Sequence, residues 1–166
     1  MIIENFINAI LNINFMNYNR FFGRDSEVVA KDLLGRLLVR KSSKGNTSVR
    51  IIETGAYTGG ETESRIGMKY VPGSIFLMPY RGSYLLNIAT DKRDHSSCVE
   101  VRAIVLHDRL IRGSGTIVKL LDITPDFDGM PLGSELGVVG DGVDSSMVKK
   151  TRGNTDNCDG YFSIKK

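Results

Sequence analysis

The segment RIIETGAY, residues 50–57, brings a carboxylate and an aromatic ring together on a predicted strand. Side chains alternate along a strand, so Ile51, Glu53, Gly55 and Tyr57 are expected to share one face. Glycine weakens a strand and often marks a bulge or the close approach of a ligand. Glu53 is therefore a candidate acid or base, and the alternative is an ion pair with a neighbouring arginine that only holds the sheet.

The segment PYRG, residues 79–82, is a second candidate because it joins two apolar strands in a tight connection. Tyr80 and Arg81 would lie at the tip of a hairpin, where an aromatic ring finds little to bury it. Proteins that open DNA insert side chains between base steps while a nearby arginine contacts phosphate or the minor groove. The pair is a candidate DNA-binding tip, unless the Tyr80 ring folds back onto its own hairpin.

Two polar side chains, Asn87 and Arg102, interrupt otherwise apolar strands. Buried polar groups need hydrogen-bond partners, and such groups often line a site. In VEVRAIVL, residues 99–106, alternation places Glu100 and Arg102 on one face of a strand. Arg102 is also a possible partner for Glu53. Either polar group could instead fix a strand end or a turn.

The elements that must position these residues are short and mixed in type. Asp25 is a suitable N-cap for a helix with an apolar stripe from Val28 to Leu34, which Gly35 ends. A second short helix is predicted in TIVKLLDI. Strands are predicted in RLLVR, RIIETGAY, PGSIFLM, SYLLNIAT and CVEVRAIVL, and in the tail segments GVVGDG, MVKKT and GYFSI. The sequence predicts one mixed α/β domain with a curved, largely antiparallel β-sheet and short flanking helices.

The composition is that of a soluble globular domain, with 41% hydrophobic and 25% charged residues in a chain of 166. No apolar run approaches the ~18 residues of a membrane-spanning helix. Cys98 and Cys158, with His95 and His107, match no familiar zinc site. Two cysteines without a CxxC pattern favour a reducing, cytoplasmic setting.

The net charge is only +3, but the charges are unevenly distributed. No Lys or Arg occurs from residue 123 to 148. Basic residues are concentrated near the two ends of the domain: Arg20, Arg24, Arg36, Arg40, Lys41, Lys44, Arg50, Lys149, Lys150, Arg152, Lys165 and Lys166. The asymmetry suggests one basic face for a polyanion, although an ordinary solvated surface explains it about equally well.

Residues 1–15, MIIENFINAILNINF, lack the basic start and small-residue cleavage site of a signal peptide. We interpret them as an added or misassigned leader, with a frayed amphipathic segment as the alternative. The single domain is predicted at residues 16–166.

Several motifs, in order, resemble those of the alkyladenine-type 3-methyladenine DNA glycosylases. NRFFGRDSEVVAKDLLGRLLVR is similar to the opening helix and strand of that family, IIETGAY to its V-E-T-E-A-Y, PYRGSYLLNI to its Y-G-x-x-x-x-x-N hairpin and VEVRAIVL to its V-L-L-R-A-L-E-P strand. The resemblance implies a monomeric, cofactor-free enzyme of the nucleoid-associated cytoplasm, without an obligate protein partner. Such an enzyme flips alkylated purines out of double-stranded DNA and hydrolyses the N-glycosidic bond.

The resemblance also implies roles for the binding residues. Tyr80 matches the hairpin tyrosine that fills the gap left by the flipped base. Tyr57 matches one aromatic wall of the base pocket, and the second wall falls at Leu77 or Phe76. Asn87 matches the asparagine that helps to exclude undamaged guanine.

The match to the catalytic residues is incomplete. Arg102 matches the arginine that holds the attacking water, but the general-base glutamate of the family is replaced by Gly55. A pocket histidine that should follow Tyr57 is absent, and the segment 59–72 is shorter than in the family.

Three substitutes for the missing base are conceivable. Glu53 lies ~6.6 Å from Gly55 by strand rise and could lean across it. Glu61 or Glu63 could fold over from the shortened segment. Alternatively, cationic bases leave readily enough that pocket and water suffice. We therefore expect reduced activity, retained on cationic methylpurines and weak on neutral hypoxanthine. A non-catalytic lesion- or DNA-binding protein of the same fold is the alternative function, and a decayed gene product is a third.

Overall fold

The computed structural model describes residues 17–58, 70–91, 97–133 and 135–166. Within these ranges it contains three short α-helices and nine β-strands. In chain order they are α1 Tyr18–Phe22, α2 Ser26–Leu33, β1 Leu37–Ser42, β2 Gly45–Thr58, β3 Ile75–Tyr80, β4 Ser83–Ala89, β5 Ser97–Leu106, β6 Arg109–Arg112, α3 Ser114–Leu120, β7 Leu136–Val139, β8 Val148–Thr151 and β9 Cys158–Ile164. The predicted leader at 1–15 and the candidates Glu61 and Glu63 lie outside the described residues.

The strands form one sheet in which every described pairing is antiparallel. The main order is β3-β4-β5-β2-β1-β7, with β6 beside β5, and with β9 lying between β2 and β8. The 14-residue strand β2 is central because its first half pairs with β1, while its second half lies between β5 and β9. The predicted α/β fold with a largely antiparallel sheet is confirmed.

Helix α2 covers one face of this sheet. Asp25 caps it as predicted, accepting hydrogen bonds from the backbone N–H groups of Glu27 and Val28. Its buried apolar residues are Val29, Ala30 and Leu33. The predicted apolar stripe was wrong at Val28, which is 43% exposed because it lies on the outer side of the first turn.

The contact between α2 and β2 fixes which face of β2 is buried. Thr54 is fully buried and its hydroxyl donates to the Ala30 carbonyl over 2.8 Å. Ile51 and Ala56 are buried in the same core. The pairing with β5 shifts between Ile51 and Glu53, so an extra residue in β2 reverses the alternation there. The predicted common face of Ile51 and Glu53 was therefore wrong.

The hairpin β3–β4 turns in two residues, in agreement with the predicted tight connection. Tyr80 pairs with Ser83, and the turn residues Arg81 and Gly82 have φ of 46° and 75°. Positive φ at both central positions matches the right-handed twist of a two-residue hairpin. The turn therefore holds Tyr80 at the last position of β3.

Helix α3 begins two residues before the predicted TIVKLLDI segment and ends at Leu120. Its Ser114 hydroxyl accepts a 2.6 Å hydrogen bond from the Leu86 backbone N–H, which ties the helix to β4. Strand β6, which the sequence did not predict, precedes it and pairs with β5. Among the described residues, no helix is long and apolar enough to cross a membrane.

Candidate active site

One row of directly paired residues crosses five strands of the sheet. Tyr161 of β9 pairs with Gly55 of β2, Gly55 with Glu100 of β5, Glu100 with Asn87 of β4, and Asn87 with Phe76 of β3. Residues directly opposite each other in a sheet point to the same face. The row therefore presents two aromatic rings, a carboxylate and an amide to one side of the sheet.

A cavity of about 790 Å³ lies above this row, on the face opposite α2. Four members of the row line it, namely Phe76, Asn87, Glu100 and Tyr161. Its remaining lining includes the charged side chains Glu53, Arg102, Arg112 and Lys119, the ring of Tyr57, and the hairpin tip at Tyr80 and Arg81. The size is within the range of small-molecule sites.

Arg102 connects the charged groups at the floor of the cavity. Its Nε donates to Oε1 of Glu53 over 3.1 Å and its Nη1 to Oε2 of Glu100 over 3.2 Å. The guanidinium also lies 3.7 Å from the centroid of the Tyr161 ring. Burial opposes the charge on Arg102, but Glu100 and Glu53 outweigh it and raise the guanidinium pKa.

Two bulges aim the side chains of this charged cluster. The first bulge lies between the pairs Ile51–Ile104 and Glu53–Ala103, and its extra residue belongs to β2. The second lies between the pairs Glu53–Ala103 and Thr54–Val101, and its extra residue belongs to β5. The extra residue of β5 is Arg102. Bulges re-aim side chains and often occur beside active sites. Simple alternation cannot reveal such a shift.

The predicted candidate base Glu53 is fully engaged in ion pairs. Its Oε1 accepts from Arg102, and its Oε2 accepts from Nη1 of Arg112 over 2.7 Å. The Glu53 side chain is 20% exposed, so it lies at the cavity edge rather than in the core. The predicted pairing with Arg102 is confirmed, and the pair also borders the cavity.

The sequence interpretation did not select Glu100 as a functional residue. Its side chain is only 7% exposed, and its Oε2 accepts from the Tyr57 hydroxyl over 3.0 Å as well as from Arg102. Burial raises the pKa of the Glu100 carboxyl, against the lowering effects of Arg102 and Tyr57. Burial and the Glu100 charge raise the pKa of Tyr57, which keeps its hydroxyl protonated as a donor. The sequence signal that could have identified Glu100 was its predicted position on the same strand face as Arg102.

The space above Gly55 is occupied. A Cβ atom at this position would lie 3.0 Å from Cε2 of Tyr57, 3.2 Å from Cδ of Arg102 and 3.2 Å from Cδ1 of Tyr161. Since φ of Gly55 is not in the left-handed region, the glycine is needed for close approach rather than for backbone conformation. It allows Arg102 to cross β2 and reach Tyr161.

The second aromatic wall of the cavity was expected at Leu77 or Phe76, and the structure distinguishes between these two residues. Leu77 is buried in the core and is not part of the cavity lining, because alternation along β3 turns it away from Asn87. Phe76, the alternative, lines the cavity and packs with its ring centroid 5.2 Å from that of Tyr70. Phe76 thus replaces Leu77 as the candidate second wall.

Asn87 and Tyr80, the two other candidate binding residues, both line the cavity. Asn87 is buried, and its Nδ2 donates to the Leu85 carbonyl over 3.2 Å. Tyr80 is 47% exposed at the hairpin tip, with the Arg81 guanidinium 5.1 Å from its ring centroid. The Tyr80 ring is therefore available to a partner rather than buried in its own hairpin.

The cations around the cavity are not those that the sequence grouped together. Arg81, Arg102, Arg112 and Lys119 line it, whereas none of the twelve basic residues counted toward a basic face does so. Arg24 and Arg36 instead pack against the Phe21 ring, with their guanidinium carbons 4.6 and 4.9 Å from its centroid. In the part of the chain that the structure describes, no group of three His, Cys, Asp or Glu side chains could hold a metal ion.

Comparison with known proteins matches the sequence of this chain to a protein family. Residues 20–156 match the model of the methylpurine-DNA glycosylase family. The chain belongs to this family. Relatives include proteins of Borrelia garinii and Borreliella burgdorferi, each 31% identical over 131 residues, with 68% of this chain and 70% of the relative covered. A relative from Paraburkholderia phytofirmans is 31% identical over 140 residues, covering 69% of this chain and 65% of its own.

All three relatives carry the name "Putative 3-methyladenine DNA glycosylase". The family match spans the hairpin tip, the row and the charged cluster except Tyr161, which follows the matched range. Strand β9 thus supplies one of the two aromatic rings of the row from beyond the matched range.

Proposed function

We propose that this chain is a base-excision DNA glycosylase that flips an alkylated purine from duplex DNA into the cavity and hydrolyses its N-glycosidic bond. The observation that carries the proposal is a cavity with aromatic walls and a charged floor, next to an exposed tyrosine at a hairpin tip. Family membership supports the same reaction class. The reaction requires water as the only other reactant.

The walls of the cavity suit a flat purine. Tyr57, Phe76 and Tyr161 present rings to it, and base–aromatic stacking contributes about 1–3 kcal/mol per base. Asn87 adds an amide at the floor, where it can accept or donate hydrogen bonds to a base edge. A purine with altered substituents is the ligand class that fits these walls.

The hairpin tip is suited to the duplex that the base has left. An exposed ring at Tyr80 can fill the vacated gap, while Arg81 beside it meets phosphate or the minor groove. Arg112 and Lys119 extend positive charge along the cavity edge. Binding should therefore weaken with added salt, because phosphate contacts release counterions.

The charged floor favours cationic substrates. The carboxylates of Glu53 and Glu100 stabilise positive charge that develops on the sugar as the bond breaks. A cationic base such as 3-methyladenine leaves as a neutral molecule and needs no proton. Neutral hypoxanthine needs help with its departure, so we propose a preference for cationic methylpurines.

A second candidate function is that of a protein that binds lesions without excising them. Gly55 supports it, since the position that matches the family base holds no side chain. Insertion of Tyr80 would serve this function equally well.

Base release from the purified chain tests both functions. Methylated and unmodified duplexes are incubated with excess protein, and free 3-methyladenine is measured under single-turnover conditions. We expect release from the methylated duplex alone. Tight, selective binding of the methylated duplex without any release would establish the second function instead. Equal binding to both duplexes without release would contradict both.

A further inference from the structure

We propose that Glu100 is the general base of this enzyme, acting from the neighbouring strand in place of the side chain that Gly55 lacks. The inference rests on the proposed glycosylase function and names the residue that activates water in it. It follows from the pairing of the sheet and from the partners of each carboxylate in the cavity.

The register places Glu100 directly beside Gly55. Gly55 and Glu100 are direct partners in the β2–β5 pairing, and partners on one face have Cβ positions about 4.5–5.5 Å apart. The Glu100 carboxylate therefore enters the cavity on the same face as Gly55, from the adjacent strand.

The partners of Glu100 orient it for proton transfer. The Tyr57 hydroxyl and the Arg102 guanidinium both donate to Oε2. Oε1 accepts no hydrogen bond from any side chain or backbone group that the structure describes, and Glu100 lines the cavity. One oxygen is thus fixed by the protein, and the other is left for a ligand in the cavity.

Glu53 is the competing carboxylate, and its contacts make it less suitable. Both of its oxygens accept from guanidinium groups, one from Arg102 and one from Arg112. Accepting a proton from water would require Glu53 to give up at least one of these ion pairs. Its contribution is to hold Arg102 in place beside Glu100.

The reaction balances with Glu100 as the base. The oxygen of water forms a bond to C1′ of the nucleotide as the C1′–N9 bond of a cationic methylpurine breaks. The electron pair of the broken bond goes to the purine, which leaves as a neutral base. One proton of the water passes to Oε1 of Glu100, and an abasic sugar with a hydroxyl at C1′ remains.

Burial of Glu100 supports this assignment. Burial raises the pKa of its carboxyl above the ordinary value of a glutamate, so the group accepts a proton more readily than an exposed one. The charged and titratable groups that face it are Glu53 and Tyr57 of β2, Arg102 of β5 and Tyr161 of β9.

Single-turnover release of 3-methyladenine from methylated duplex DNA tests the assignment. The full chain is compared with Glu100→Gln, Glu53→Gln and the control Glu27→Gln, which alters an exposed carboxylate outside the cavity. We expect Glu100→Gln to lower the rate about 10²–10⁴-fold. Glu53→Gln should lower it less, and Glu27→Gln should leave it unchanged. A melting temperature and a DNA affinity close to those of the wild type show that each variant is folded.

Two further readouts distinguish a base from a residue that only supports Arg102. Glu100→Ala should regain activity with added formate, because formate supplies a carboxylate in the vacated space. Tyr57→Phe removes a donor that lowers the Glu100 pKa, so the acidic limb of the pH–rate profile should move to higher pH.

The outcomes separate this inference from the proposed function. If wild type releases 3-methyladenine and Glu100→Gln is as fast, or slower only to the extent of Glu53→Gln, then Glu100 is not the base and the glycosylase function stands. The assignment would also be overturned if formate did not restore activity to Glu100→Ala and the acidic limb of the pH–rate profile did not move in Tyr57→Phe. If wild type releases nothing, the glycosylase function fails, and the role of Glu100 with it.

Discussion

The Arg102 guanidinium lies 3.7 Å from the centroid of the Tyr161 ring, and both side chains cover Gly55. The space above Gly55 is therefore filled by an arginine that crosses the strand and by a ring from β9. This packing determines the effect of placing a glutamate at position 55.

Gly55→Glu should not increase activity and should lower the free energy of unfolding. A Cβ atom added at this position would lie only 3.0–3.2 Å from atoms of Tyr57, Arg102 and Tyr161. Overpacking of this kind costs about 1–3 kcal/mol. Urea unfolding and single-turnover base release measure the two effects, with Gly55→Ala as the smaller probe. A variant at least tenfold faster than wild type would show that the site still accepts its carboxylate on β2.

Arg102→Gln should destabilise the protein by about 3 kcal/mol, because it leaves two carboxylates near each other in a mostly buried setting. Lys150→Gln is the control, since Lys150 forms an exposed pair with Glu27 and such pairs contribute at most about 1 kcal/mol. Urea unfolding of both variants gives the comparison. Equal losses would mean that the Arg102 cluster is no stronger than a surface ion pair.

Tyr80→Ala should reduce lesion excision without affecting folding. The side chain is 47% exposed, and loss of one base–aromatic contact of about 1–3 kcal/mol corresponds to roughly 5- to 150-fold. A fluorescent base analogue next to the lesion reports unstacking during flipping. Met147→Ala, at another exposed apolar side chain, is the control. Unchanged flipping in Tyr80→Ala would contradict the role of the tip.

The stability of Glu100→Gln relative to wild type should increase with pH. Burial raises the folded-state pKa of Glu100 above its ordinary value of 4.5. The neutral form is therefore favoured by folding, and its contribution is complete below pH 4.5 and lost as pH rises through the folded-state pKa. The difference in melting temperature, variant minus wild type, should grow from about pH 4 toward about pH 7. A difference that stays flat or falls would indicate that the carboxyl keeps an ordinary pKa.

Excision of 3-methyladenine should be faster than excision of hypoxanthine from matched duplexes. The floor offers carboxylates to stabilise positive charge, whereas departure of a neutral base requires an added proton. Single-turnover rates on the two substrates give the ratio directly. Faster release of hypoxanthine would contradict the proposed preference.

Local patterns were sufficient to predict much of the fold. The Asp25 cap, most of the strand segments and the tight connection at residues 79–82 each have a short-range cause, and the structure confirms them. The apolar stripe predicted for α2 was wrong at Val28, because the sequence alone does not show which side of the first turn faces the sheet.

The site was predictable only where it follows alternation within one strand. Asn87, Arg102 and Tyr57, which the sequence analysis selected, all line the cavity, and their roles stay predictions. The bulges at residue 52 and at Arg102 have no signature in the residue types, so the buried face of Ile51 was missed. Glu100 was missed because its relation to Gly55 exists only in the register between β2 and β5.

The row from Tyr161 to Phe76 has a consequence for reading diverged relatives of this protein. In an antiparallel sheet every inward position has a neighbour on the next strand, so a chemical group can move sideways in evolution while the scaffold stays unchanged. A motif that has lost its glutamate then no longer identifies an inactive protein. The residues paired with the substituted position, on the strands on either side, are the ones to inspect.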